Sequence, residues 1–150
     1  MKKNKTLIFL LLLLVLLDQI TKQIFSKQTI DLGLFAFRKV TNTGMSFGLF
    51  QGNNLIFIVI TTIFIALIIY FRKEFKENKI ALTLIIAGAI GNLIDRIIHG
   101  HVIDFIDFKT FPVFNVADSI IFIGVMIIIY TEIKNIKKEQ NKTKKQKINN

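Results

Sequence analysis

Two acidic residues in this 150-residue chain stand in settings that could do chemistry. Asp104 lies between Val102-Ile103 and Phe105-Ile106, where apolar neighbours raise the cost of ionising a carboxyl group. Asp118 follows Asn115 by three positions. That spacing suits an Asn cap and an acid at the third helical position, so capping alone would account for it. Two carboxyls within a few ångströms resist losing both protons and tend to share one. Such a pair can activate water against an amide: the ionised member takes a proton from water while the protonated member stabilises the developing oxyanion. The titration then belongs to the pair. Other hydrolytic chemistries find less support. The chain has no Cys and only two His, which removes thiolate nucleophiles and makes a dedicated zinc site improbable. Ser26 and Ser119 have no His in a suitable pattern, and Gly100-His101 reads as a turn at a helix end. A divalent cation on Asp95, Asp104, Asp107 and Asp118 is an alternative, since hard cations accept oxygen ligands; undiminished activity in chelator would exclude it.

Three further groups of polar residues need a partner or a role. Asp18 and Lys22 are four apart, on one helix face with the acid N-terminal, and an orienting salt bridge explains them best. Asn42-Thr43-Gly44-Met45-Ser46-Phe47-Gly48 reads as a turn that could touch a ligand. Gly88, Asn92 and Asp95 fall within a narrow arc at 100° per residue, with Gly91 beside them, so a small and polar stripe faces other helices rather than lipid. Close packing explains the glycines. It does not explain Asn92, Asp95 and Arg96, which read as a hydrogen-bonded network holding the neighbouring loop.

The elements that must position these groups are membrane helices. Hydrophobic residues make up 52% of the chain, more apolar surface than a soluble domain of this size hides. Four segments, about 6–25, 54–71, 80–98 and 118–133, are long enough at ~1.5 Å per residue to cross a core of ~30 Å. The run Leu7 to Leu17 would also suit a secretory signal peptide, but Asp18-Gln19-Ile20-Thr21-Lys22 follows it instead of small residues at a cleavage site, so an uncleaved helix is expected. Of the twenty Lys and Arg, fourteen lie before Thr6, between Arg72 and Lys79, or from Lys134 onward. All fourteen fall on the inner side if both termini are cytoplasmic. The same distribution explains the net charge of +10 as topology rather than nucleic-acid binding. Two outer segments remain, 26–53 and 99–117. The first alternates in places and carries several glycines, which suggests short strands and turns forming a lid or cradle against the membrane surface. The basic tail 134–150 has no apolar face and is expected to be disordered or held loosely against anionic lipid.

Taken together, Asp18-Gln19 with Lys22, Asn42-x-Gly44-x-x-Phe47, Gly88-x-x-Gly91-Asn92-x-x-Asp95-Arg96, Val102-x-Asp104-Phe105 and Phe114-Asn115-x-Ala117-Asp118 resemble the lipoprotein signal peptidases, or signal peptidase II, of bacteria. The resemblance runs in order to about Ile133. It implies an all-α membrane fold of four transmembrane helices with a small extracytoplasmic β cradle and a short surface helix. It also implies an aspartic endopeptidase that removes the signal peptide from diacylglyceryl-modified prolipoproteins, cutting before the lipidated Cys. Asp104 and Asp118 match the catalytic pair, and Asp18, Lys22, Asn42, Gly88, Asn92, Asp95, Arg96 and Asn115 match supporting positions; Asp107 is not the catalytic position. No metal or cofactor is implied. A monomer in the bacterial cytoplasmic membrane with its site at the outer face, open to inhibition by the cyclic peptide globomycin, is expected on the same ground. Ala87, where Gly is frequent, and Met45-Ser46, where smaller residues are commoner, leave pocket shape and substrate preference open. The rival readings are a small proton-coupled transporter, which would want acids near mid-span, and a non-catalytic assembly subunit, which leaves Asp104 unexplained.

Overall fold

A computed structural model of the chain describes residues 2–44 and 52–148. Four helices, α1 (Lys2–Phe25), α2 (Asn54–Phe71), α3 (Lys79–His99) and α4 (Val116–Ile148), are long and apolar enough to cross a bilayer. The outermost faces of α1, α2 and α4 expose large apolar side chains such as Phe9, Leu55, Phe64 and Phe122, as expected where lipid is the solvent.

The central helix is α3, against which the other three pack. Its sequence explains why. Ala81, Ala87, Gly88, Ala89 and Gly91 are all buried, and small residues let helix backbones approach closely where lipid offers no hydrophobic drive for association. A methyl group added at Gly88 would press on the Ala117 carbonyl of α4 and, at 2.6 Å, on Ile121. From the other side, one at Gly124 of α4 would meet Ile85 at 2.7 Å and the Ala81 carbonyl at 2.8 Å. α3 stops at Gly100, whose left-handed φ of 77° lets its N–H return to the Arg96 carbonyl.

A small antiparallel sheet packs on α1 and α3, ordered β1 (Ile30–Asp31), β2 (Ala36–Asn42) and β3 (Val102–Asp107). β2 pairs with β3 through Ala36↔Asp107 and Asn42↔Val102, with an irregularity between Phe37 and Val40. Phe25, the last residue of α1, stacks on Phe37 at 4.5 Å and on Phe105 at 4.9 Å, which fixes the sheet to the end of the bundle. The strands expected in the first outer segment are there, but the longest pairing partner comes from the second.

Two sequence expectations meet the structure differently. The basic tail is helical to Ile148, as a continuation of α4. Lys, Gln and Glu are good helix formers, and extending an existing helix avoids the cost of nucleation. At ~1.5 Å per residue, 33 residues reach about 50 Å, so the last turns stand clear of a ~30 Å core. Met45, Ser46, Phe47 and Gly48, in the outer segment where a short surface helix is expected, lie outside the described residues; among the described ones a short 3-10 turn, Lys76–Asn78, joins α2 to α3.

Candidate active site

Asp118 is placed by the start of α4. Its backbone N–H donates to Asn115 Oδ1 at 2.9 Å, while the Asn115 N–H donates to Asp118 Oδ2 at 3.2 Å. This is a reciprocal cap that satisfies two otherwise orphaned helix donors. The other carboxylate oxygen, Oδ1, accepts from Asn92 Nδ2 of α3 at 2.8 Å. The same cap that starts α4 leaves the second carboxylate oxygen turned to Asn92, so capping does not by itself exclude a chemical role.

Asp104 comes from β3, where it is buried. Its Oδ1 accepts from Asn115 Nδ2 at 2.7 Å and its Oδ2 from Asn42 Nδ2 of β2 at 3.0 Å. Burial, and next the neighbouring Asp118 carboxylate, push the Asp104 carboxyl up from 3.8 to about 6, against the lowering effect of the Asn42 and Asn115 donors and of Lys22. Asn115 and Asn92 join the two acids: Asn115 Nδ2 also donates to Asn92 Oδ1 at 3.0 Å. The chain of contacts runs Asp104, Asn115, Asn92, Asp118 without a gap.

Behind Asn92 lies a buried cation. Lys22 Nζ donates to Asp18 Oδ2 at 2.8 Å, to Asp95 Oδ2 at 2.9 Å and to Asn92 Oδ1 at 2.9 Å, which uses all three of its N–H bonds. The salt bridge expected between Asp18 and Lys22 is thus half of a larger unit. Asp18 Oδ1 accepts the Ala117 N–H at 2.8 Å and Asp95 Oδ2 the Ile103 N–H at 3.0 Å. Each acid of the pair holds the backbone one residue before a member of the dyad.

The remaining sequence candidates sit at one remove. Gly88 lets α4 approach at Ala117, and a methyl group at Gly91 would fall 2.5 Å from Asp18 Oδ2. Arg96 forms no ion pair with either dyad carboxylate among the described residues. Its guanidinium lies 5.2 Å from the Phe57 ring centroid and reaches the Gly44 carbonyl at 3.5 Å. Asn42 holds the Gly44 N–H on its own Oδ1 at 3.0 Å. Asp107 is turned to Arg38 and to the Lys109 N–H, while Asp95 faces Lys22, so the four acids weighed above as a cation site do not converge. Among the described residues no group of three or more acid, His or Cys side chains has metal-binding geometry.

Gln19 went without a role in the sequence. Its Nε2 reaches Asp95 Oδ1 at 3.0 Å and the Gly91 carbonyl at 3.1 Å, bracing α1 on α3. Asn54 is a second such residue, donating to the Arg96 carbonyl at 2.9 Å. Its position at the start of a span, where a polar side chain needs a partner, was the available signal.

The chain has known relatives. A family model for signal peptidase (SPase) II matches residues 10–134. The lipoprotein signal peptidase of Caldanaerobacter subterraneus subsp. tengcongensis is 45% identical over 130 residues, covering 79% of this chain and 90% of the relative. That of Thermodesulfovibrio yellowstonii is 41% identical over 150 residues, covering 92% and 99%. A bacterial membrane enzyme solved by the in meso method at 2.3 Å resolution superposes with a TM-score of 0.81 at 32% identity, over 88% of this chain and 90% of that one.

Proposed function

The chain belongs to the signal peptidase II family, and from that premise we propose that it removes the signal peptide of lipid-modified prolipoproteins by a two-aspartate mechanism, cutting before the lipidated Cys. It is a multi-pass bacterial membrane peptidase. The observation that carries the aspartic reading is the pairing of Asp104 with Asp118 through Asn115 and Asn92. Three carboxamides, each fixed by another partner, point N–H donors at two carboxyls that lie close enough for one to raise the proton affinity of the other.

In the reaction, one carboxylate takes a proton from water as the oxygen bonds to the scissile carbonyl carbon. The other carboxyl gives its proton to the carbonyl oxygen, forming a tetrahedral diol. The first acid then protonates the leaving nitrogen, the C–N bond breaks, and the diol returns a proton to the second acid. Atoms and charges balance with water as the only co-reactant. The residues named above as supporting, Asp18, Lys22, Asn42, Gly88, Asn92, Asp95, Arg96 and Asn115, hold this arrangement rather than react. The enzyme works as a monomer in the cytoplasmic membrane, with both termini inside and the dyad at the outer face.

The test is cleavage of a lipid-modified precursor set against its unmodified form. Asp104→Asn and Asp118→Asn are each expected to insert normally and to lose turnover by at least about 10³-fold, since each removes one half of the proton exchange. Near-normal turnover in either variant would remove that residue from the dyad, and equal cleavage of the unmodified precursor would reject the lipid requirement.

A further inference from the structure

Lys22 is a buried cation seated one residue away from the chemistry. An ammonium group can only donate, so the atom of Asn92 that faces it must be the carbonyl oxygen. That oxygen also receives Asn115 Nδ2, and the two donors leave the carboxamide one orientation. Its Nδ2 then points at Asp118 Oδ1 at 2.8 Å. Without the ammonium, that orientation rests on the Asn115 amide alone, one neutral donor in place of two.

The two acids of the dyad are consequently held by different donors. Asp118 accepts from a backbone N–H at the positive end of α4 and from a carboxamide polarised by Lys22. Asp104 accepts from two neutral side-chain amides, those of Asn42 and Asn115. The charged and titratable groups around Asn92 and the dyad are Asp18 and Lys22 on α1, Asp95 and Arg96 on α3, Asp104 on β3 and Asp118 on α4. Among these, only Lys22 is hydrogen-bonded to Asn92 as a cation.

We propose that Lys22 is a positioning residue for the hydrolysis, fixing the carboxamide of Asn92 so that Asp118 is the carboxylate that takes the proton from water and Asp104 is the acid that protonates the carbonyl oxygen. The inference rests on the peptidase reading above. It assigns the two halves of the proton exchange, which membership of the family does not.

Lys22→Met keeps an unbranched apolar stem, one atom shorter, and removes the charge. Because it leaves Asp18 and Asp95 without their cation, a second variant, Lys22→Met with Asp18→Asn, removes one of the two stranded acids. In detergent-purified enzyme with a lipid-modified precursor, both variants are expected to lose about 10²-fold in kcat with KM changed by less than about threefold. The acid limb of the kcat/KM profile should move up by about one pH unit in Lys22→Met, where a positive charge is lost, and by less in the double variant, which loses one charge of each sign. A purely structural role would lower the amount of folded enzyme and leave kcat per folded molecule alone; unchanged kcat per folded molecule in the double variant, or an unmoved acid limb in Lys22→Met, would overturn the proposal. Absence of cleavage by the unaltered enzyme would instead sink the peptidase reading, so the two failures are distinguishable.

Discussion

Asp104 and Asp118 carry the same side chain in two different holders, and the difference has consequences that can be measured. Asn42 reaches Asp104 from β2, a donor that favours the charged form. Asn42→Ala removes it, so the proton on Asp104 is held to higher pH. The alkaline limb of kcat/KM, which reports loss of that proton from the free enzyme, is expected to move upward, by less than about one unit for a single neutral hydrogen bond. A limb that stays in place or moves down would mean that Asp104 is not the group titrating there. Much of this was legible from residue types. An acid among Val, Ile and Phe has few structural uses, and Asn three positions before Asp at a helix start announces a cap. The bridging of the two acids by Asn115 and Asn92 was not legible, because residues 92, 104 and 115 meet only through tertiary packing. Gln19 was equally silent, since a Gln beside an Asp on a helix gives no sign of which neighbour it braces.

At the scale of elements, α3 owes its central place to its glycines and alanines, and that stripe was readable from the 100° spacing. The contact at Gly91 is the most exacting. Its missing Cβ makes room for the Asp18 carboxylate, which holds the Ala117 N–H just before Asp118. Gly91→Ala is expected to destabilise by about 1–3 kcal/mol, the usual cost of forcing volume into a packed site, and to lower turnover more than Gly124→Ala, which would meet Ile85 and the Ala81 carbonyl nearly two turns along α4 from Asp118. Matched activity losses in the two variants would argue that only general packing is at stake. The third strand escaped the sequence because β3 is buried on both faces along nearly its whole length, and a doubly buried strand has no alternation to betray it. Its outer end is tied by charge. Lys109, in a left-handed conformation at φ 61°, donates to Asp31 of β1 at 2.9 and 3.0 Å, and Arg38 pairs with Asp107. Hydrogen bonds from Lys109 and Arg38 hold Asp31 and Asp107 below the ordinary carboxylate value. Lowered values give stabilisation that is complete above about pH 4 and lost as pH falls through them. Amide exchange in residues 30–42 and 102–107 should therefore quicken below pH 4 while residues 81–92 stay protected; uniform quickening would assign the acid sensitivity to the helices instead.

For the molecule as a whole, the arrangement works only if the dyad and the basic tail lie on opposite sides of the bilayer. Four spans put both ends of the chain on one side, and α4 carries Asp118 at its first turn and Lys134 to Lys147 at its far end. A helix of that length cannot keep both ends on the same face. We propose which face is which from where the cations collect, because Lys and Arg near span ends tend to be retained on the cytoplasmic side. The spans and this asymmetry were plain in the sequence, for hydropathy and charge need no tertiary information. The helical state of the tail was not, because a segment without an apolar face is helical only by continuing α4. Since the chain has no Cys, single cysteines report orientation without background. Phe111→Cys, at an exposed position beyond β3, and Lys137→Cys, on the exposed surface of the α4 extension, are the informative pair. In intact spheroplasts a membrane-impermeant maleimide is expected to label the first and to reach the second only after permeabilisation. The reverse pattern would put the dyad on the cytoplasmic face, where a precursor exported ahead of its signal peptide could not present its cleavage site. Labelling of both from outside would mean that α4 does not cross the membrane at all.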